Sequence, residues 1–371
     1  MKASAYFLTL VGLLAGCATD HTQGSKTLKD VFKNDFLIGA AVSPSQFCES
    51  NAVEAALVKC QFDSITPENV LKWECIHPKR EQYDFTLADR YVEFGTKNKM
   101  FTVGHNLIWH EQTPNWVFQD GLGKPASRET LLQRMREHIF AVVGRYKGRI
   151  KGWDVVNEAL NEDGTLRQSR WMKIIGEDYL AKAYQFAHEA DPAAELYYND
   201  YSLENQPKRL GAIALIKKLQ EDGVKIDGVG LQGHYSLDFP HIAQLNATIE
   251  DFSKLGVKVM MTELDVDILP SAWDQGSAEI ARNFRLQKKL NPYVDELPVV
   301  VQQKLAERYT DLFRVFVQHR ATIKRVTFWG VTDGGSWLND WPVKGRTNYP
   351  LLFDRSSKPK PAFDAVIQSG Q

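Results

Sequence analysis

Eight short β-rich runs, each followed by sequence of helical periodicity, and a row of polar residues at the carboxyl ends of those runs together predict an α/β fold. The expected architecture is a single (β/α)8 TIM barrel over residues 28–371. In chain order the runs are FLIGAAV (36–42), FDSITPEN (62–69), FTVGHNLIW (101–109), IKGWDVVNE (150–158), ELYYNDYSL (195–203), GVGLQGHYS (228–236), KVMMTELDV (258–266) and RVTFWGVTD (325–333). Between them, apolar residues recur at three and four over 131–146, 179–190, 210–223 and 305–320, the helical period. Gly223 and Gly256 stand where helix C-caps fall. Alternation of this kind also suits an open doubly wound sheet, but eight repeats favour closure. A length of 371 residues suggests two or three domains at about 150 residues each. No Pro/Gly/Ser-rich linker interrupts 28–371, so one barrel is expected instead.

The charge balance excludes one class of partner. Forty-five basic against forty-six acidic residues leave a net charge of −1, no footprint for a nucleic-acid backbone. Aromatics reach 11%, with nine Trp and thirteen Tyr, a surplus suited to holding sugar rings. At the amino terminus, one Lys precedes an apolar run from Tyr6 to Leu14, too short for the roughly 20 residues of a spanning helix. Residues 1–16 read as a signal peptide, and Leu14-Ala15-Gly16-Cys17 resembles the lipobox of bacterial lipoproteins. That resemblance implies lipidation at Cys17, a polar tether over 17–27, and membrane contact only through the lipid. Ala18, in place of an Asp, points to the outer membrane of a Gram-negative cell. Cys48, Cys60 and Cys75 are odd in number and form no C-x-x-C pair, so buried packing is their expected role.

Strand tails need no carboxylates or amides for packing, yet six or seven of these end in Glu, Asn, Asp, Gln, His or Trp. In a barrel the carboxyl ends of the strands build the active site. Glu158 closes the fourth run and Glu263 the seventh, and a pair of carboxyl groups flanking a bond is what glycoside hydrolysis requires. Each alone would serve equally as an ion-pair partner for a Lys or Arg. Asn157 beside Glu158, and Asp265 on the strand face of Glu263, favour the chemical reading.

The ordered motifs ITPENVLKW (65–73), GHNLIWHEQTPNW (104–116), WDVVNEALNEDGTLRQSRW (153–171), YYNDYSLE (197–204), GVGLQGHYS (228–236), MTELDVDI (261–268) and FWGVTDGGSW (328–337) resemble those of family-10 glycoside hydrolases, the endo-β-1,4-xylanases. The resemblance covers about residues 28–366. It implies a retaining mechanism with Glu158 as acid/base and Glu263 as nucleophile, their carboxyls about 5–5.5 Å apart. His234 and Asp265 resemble the pair that orients and ionises the nucleophile. Asn157 resembles the donor to the sugar 2-hydroxyl at −1. Glu68, Asn69 and Lys72 match residues that bind sugars at −2 and −1, and His105, Trp109 and Gln232 match the −1 pocket. Trp329 and Trp337 match the platform and roof of the glycone side, and Tyr201 offers a stacking face at +1. The implied partners are xylan and xylo-oligosaccharides, acted on by a monomer with no cofactor.

The chain departs from the family's usual pattern at Pro67 (usually Ala), Glu111 (usually a small hydroxyl residue) and Ser202 (commonly Asn). The segment 267–300 is long for a loop and reads as a candidate lip on the aglycone side, with Trp273 and Tyr293 as further candidate sugar contacts or loop packing. Gly228, Gly230 and Gly233 spell G-x-G-x-x-G, but no helix start follows, so a nucleotide site is not expected. His110-Glu111 begins like H-E-x-x-H, but Pro114 ends that match, and no metal site is assigned. The alternatives are another retaining β-1,4-glycanase of the same barrel type and a non-catalytic xylo-oligosaccharide-binding protein.

Overall fold

The computed structural model of the chain describes residues 26–270 and 289–371. The leader, Cys17, most of the tether and Trp273 lie outside the described residues. The strands are β1 (Leu37–Val42), β2 (Ser64–Pro67), β3 (Phe101–Ile108), β4 (Gly152–Asn157), β5 (Glu195–Asp200), β6 (Gly228–Leu231), β7 (His234–Ser236), β8 (Lys258–Asp267) and β9 (Ile323–Phe328). All pairings are parallel. Strands β1 to β6 pair in sequence, β6 pairs β8, β8 pairs β9, and β9 returns to β1, which closes an eight-stranded barrel. The expected (β/α)8 barrel is the fold.

Among the described residues, one longer helix follows each barrel strand: α1 (Ala52–Gln61), α2 (Thr86–Lys97), α3 (Arg128–Arg145), α4 (Tyr179–Ala190), α5 (Gln206–Glu221), α6 (Ile242–Ser253), α7 (Val299–Gln318) and α8 (Pro361–Ser369). Helix α4 coincides with the predicted span. Helix α3 begins three residues early because Ser127 caps it, accepting from the Thr130 amide at 3.2 Å. Gly223 and Gly256 each adopt φ +71 just beyond α5 and α6, the left-handed turn that ends a helix most cheaply at glycine. The central strands are buried along their lengths, as parallel strands covered by helices on one side and barrel core on the other must be. None of the described helices is long and apolar enough to cross a membrane.

Two expectations are corrected. The sixth run is not one strand: it breaks at Gln232-Gly233, where Gly233 takes φ +80, and β7 pairs β8 beyond the barrel wall. The break frees main-chain carbonyls for β8, with the Glu263 amide donating to Gln232 O at 2.7 Å and the Asp265 amide to Gly233 O at 3.2 Å. No helix starts at Gly233, so the G-x-G-x-x-G triplet belongs to a strand and its break. The cysteines are not buried packing residues. Cys48 and Cys75 are exposed and Cys60 is half-buried, because Gln46, Phe47, Trp73 and Ile76 take the inward positions of the short turns that carry Cys48 and Cys75. Tyr293, on the described end of the candidate lip, packs against the core, and its carbonyl accepts from the Tyr349 hydroxyl at 2.9 Å.

Candidate active site

The polar strand ends converge on one mouth of the barrel. Glu158 immediately follows β4 in a left-handed conformation, φ +57, which costs a non-glycine residue about 1–3 kcal/mol. Its amide donates to Asn199 O at 2.9 Å, and its carbonyl accepts from Arg167 Nε at 3.2 Å, so both sides of the strained residue are held. The side chain is half-buried among three donors. Oε1 accepts from Asn157 Nδ2 at 3.1 Å and Gln232 Nε2 at 2.9 Å, while Oε2 accepts from Trp109 Nε1 at 2.9 Å.

Glu263 lies in β8 where its register with β9 shifts between Met261 and Leu264, an irregularity that re-aims a side chain. It is buried, and Oε1 accepts from Asn199 Nδ2 at 2.8 Å. The same amide nitrogen donates to Asn157 Oδ1 at 2.8 Å. Three side-chain amides, Asn157, Asn199 and Gln232, therefore link the two carboxylates.

Burial pushes the His234 imidazole toward neutrality, but Asp265 and then Glu263 outweigh it and raise its pKa to about 10. The protonated ring donates through Nδ1 to Asp265 Oδ1 at 3.0 Å and through Nε2 to Glu263 Oε2 at 3.3 Å. Burial alone would raise the Glu263 pKa. The His234 hydrogen bond, the neighbouring His105 and His234 rings and the Asn199 amide overcome it and hold the carboxyl below its ordinary value. Asp265 also accepts from Trp337 Nε1 at 2.7 Å, so one carboxylate orients both the imidazolium and the ring above it.

The remaining predicted residues line the same mouth. Buried Lys72 donates to Asn69 Oδ1 at 2.9 Å and lies 5.0 Å from the Trp109 ring. Burial draws its pKa down, against the pull of Glu263 and Glu158. Burial raises Glu68 to about 7, with Lys72 opposing and Glu54 adding to the rise. His105 is fixed by Asp154 at 2.9 Å and presents an edge to Trp329 at 5.3 Å. Trp329 also meets His234 edge-on at 6.3 Å, so it stands between the two histidines. Tyr201 is half-buried at the end of β5, with its hydroxyl accepting from Arg167 Nη2 at 3.1 Å. A pair of carboxylates linked through side-chain amides, one kept ionised and the other ringed by donors, equips the mouth for cleavage of a glycosidic bond.

Comparison with known proteins agrees with this chemistry. The model of "Glycosyl hydrolase family 10" matches residues 27–369. The chain belongs to that family. An endo-1,4-beta-xylanase A of Xylanibacter ruminicola is 45% identical to this family-10 hydrolase over 346 residues, 93% of this chain and 94% of that protein. A beta-1,4-xylanase of Dictyoglomus thermophilum is 40% identical over 97% of this chain and 96% of its own. Among solved structures, a GH10 endoxylanase retrieved from a sugarcane soil metagenome superposes with a TM-score of 0.88 at 44% identity, covering 93% of this chain and 99% of that one.

Eight of the predicted residues of this family-10 hydrolase form one hydrogen-bonded network: Trp109, Asn157, Glu158, Gln232, His234, Glu263, Asp265 and Trp337. Asn199 bridges the two halves; sequence reasoning counted the polar tail of the fifth run among the converging strand ends but gave Asn199 no role. It also missed Asp154, the His105 partner, and Trp171, whose Nε1 donates to Trp109 O at 2.9 Å. Asp154 lies before a strand end and Trp171 on the short helix Arg170–Ile175; both fall within the motif 153–171, but neither was given a role. Glu111 is exposed on the rim. Ser202 occupies a left-handed position, φ +52, of the kind that favours the Asn common in the family.

Proposed function

We propose that this family-10 hydrolase is an endo-β-1,4-xylanase that cleaves internal bonds of xylan and xylo-oligosaccharides with retention of configuration. The observation that carries the reading is the pairing of half-buried His234 with buried Glu263, joined through three amides to a second, half-buried carboxyl. The xylanases among its relatives support the substrate class. In the first step Glu263 attacks the anomeric carbon to form a glycosyl ester as the glycosidic C–O bond breaks. Glu158 delivers its proton to the departing oxygen. In the second step Glu158, now a carboxylate, takes a proton from water. The water oxygen bonds to the anomeric carbon and Glu263 leaves as a carboxylate. Esterification removes the Glu263 charge between the steps, which favours the change of Glu158 from acid to base.

In this reading Asn157 donates to the 2-hydroxyl at −1, a bond that strengthens in the transition state. His105, Trp109 and Gln232 line the −1 pocket, and Glu68, Asn69 and Lys72 bind sugars at −2 and −1. Trp329 and Trp337 form the glycone platform and roof, and Tyr201 receives the +1 ring. The test is a hydrolysis panel of xylan, arabinoxylan, cellulose and mannan with product lengths recorded. Short xylo-oligosaccharides from xylan support the reading. Faster release from cellulose or mannan, or binding without release of reducing ends, refutes it.

We further infer a lipoprotein of the outer membrane, supported by Leu14-Ala15-Gly16-Cys17, that acts as a monomer. Cys17→Ser would release the protein to the soluble fraction. A mature chain lacking lipid mass at Cys17 contradicts this.

A further inference from the structure

The loop after β4 folds back on itself. Leu160 bridges Leu166, the Asn161 amide donates to Thr165 O at 2.9 Å, and the Arg167 amide to Ala159 O at 2.7 Å. This closed turn returns Arg167 beside the residue where it began. The guanidinium then spends its donors on three acceptors: Glu158 O through Nε at 3.2 Å, and Leu160 O at 3.0 Å and the Tyr201 hydroxyl at 3.1 Å through Nη2. One planar group thus ties the main chain of the proposed acid/base to the rim of the proposed +1 face.

Tyr201 is fixed from a second direction. The Lys208 ammonium, fully buried, lies 3.3 Å from the Tyr201 ring centroid. It is held there by Asp200 at 3.1 Å and Glu162 at 3.0 Å. With one ring face covered by the cation and the hydroxyl clamped by Arg167, only the opposite face can receive a sugar ring. The Glu158 carbonyl belongs to a residue in a left-handed conformation, whose side-chain direction depends on its backbone being held.

We propose that Arg167 is a positioning residue for the aglycone half of the reaction, coupling the orientation of Glu158 to the Tyr201 face that takes the +1 pyranose. The inference rests on the function proposed above and adds a residue to it. Arg167 touches no reacting atom. It matters where a sugar occupies +1 and the leaving oxygen needs a proton, and little where the leaving group is a good aryl oxide.

Arg167→Met, Arg167→Lys and Tyr201→Phe are compared on xylotetraose and on 4-nitrophenyl β-xylobioside. For Arg167→Met, kcat/KM on xylotetraose falls about 10–100-fold while the aryl substrate changes by less than about threefold. Arg167→Lys restores part of the loss, since one arm and the charge remain. Tyr201→Phe, which removes only the hydroxyl, reproduces part of the xylotetraose effect and is non-additive with Arg167→Met. Equal losses on both substrates in Arg167→Met and Arg167→Lys, or fully additive effects, overturn the coupling. Glu158→Ala is assayed alongside. If it retains normal xylotetraose turnover, the reading of the site itself fails; if it is crippled while the Arg167 variants lose both substrates equally, only the present inference falls.

Discussion

Lys208→Met should destabilise the barrel in a way that depends strongly on pH, and the size of the effect can be worked from one buried pair. Lys208 and Asp200 are both inaccessible to solvent and 3.1 Å apart. Asp200 also accepts from the Tyr198 hydroxyl at 2.5 Å and the Tyr201 amide at 2.9 Å. Burial raises the Asp200 pKa to about 6, with Lys208 the main opposing influence. Its folded pKa thus lies above its unfolded value. The contribution to stability is fully present below about pH 4 and is lost as pH rises through about 6. Without Lys208 the folded pKa climbs further, so the carboxyl must stay protonated, or ionise unpaired, over a wider range. Each pH unit costs about 1.4 kcal/mol, so two units between pH 6 and pH 8 add about 3 kcal/mol. That agrees with the ~3–5 kcal/mol typical of breaking a buried pair from one side. Methionine fills similar volume, and Glu162 is exposed enough to lose its partner cheaply. At about 2 °C per kcal/mol, the melting temperature should fall by about 6 °C at pH 8 and scarcely at all at pH 5. Differential scanning fluorimetry at both pH values is the assay. An equal drop at both would mean that lost packing, not an uncompensated carboxylate, governs the site.

Other perturbations report on the chemistry directly. His234→Ala removes the cation that holds Glu263 ionised while leaving its burial in place; the acid limb of kcat/KM should move to higher pH, and an unmoved limb with uniformly lower rates would assign His234 a packing role. Glu68, raised to about 7, is neutral below that pH and a carboxylate above it, so KM for xylotetraose should improve as pH passes 7 and lose that dependence in Glu68→Gln. An unchanged pH dependence in the variant would remove Glu68 from the sugar contacts. Glu158→Ala should lose about 100–10,000-fold on xylotetraose and far less on substrates with good aryl leaving groups, with azide restoring deglycosylation. Equal losses on both, without rescue, would contradict its role as acid/base.

The barrel was legible because its signal is repetitive: alternating strand and helix periods are local properties, and eight of them leave few topologies. Helix ends were less so, since Ser127 moves the start of α3 outside the apolar pattern. The sixth strand was misread for a related reason. Gly233 sits inside an unbroken β-rich run, and its positive φ is required only because Gln232 and His234 must face different partners across β8. The chemical residues announced themselves by being polar where packing asks for apolar groups, which exposed Glu158, Glu263 and His234. Asn199 met the same criterion, but its role as the amide between two carboxylates depends on strands β4, β5 and β8 meeting in space. Arg167 and Lys208 could not be read at all, because an Arg in a turn and a Lys in an amphipathic helix look like solvated surface until the chain folds them inward. The cysteines failed in the opposite sense, their apolar character suggesting burial that neighbouring Phe47, Trp73 and Ile76 already supply.

The most direct test of the central claim is mass spectrometry of the protein reacted with a 2-deoxy-2-fluoro-β-xylobioside carrying a good leaving group, followed by peptide mapping. The mechanism predicts a single glycosyl adduct, in ester linkage, on the peptide that contains Glu263, and its absence in Glu263→Ala. An adduct on any other residue, or turnover with an α-anomer as the first product and no adduct, would contradict it.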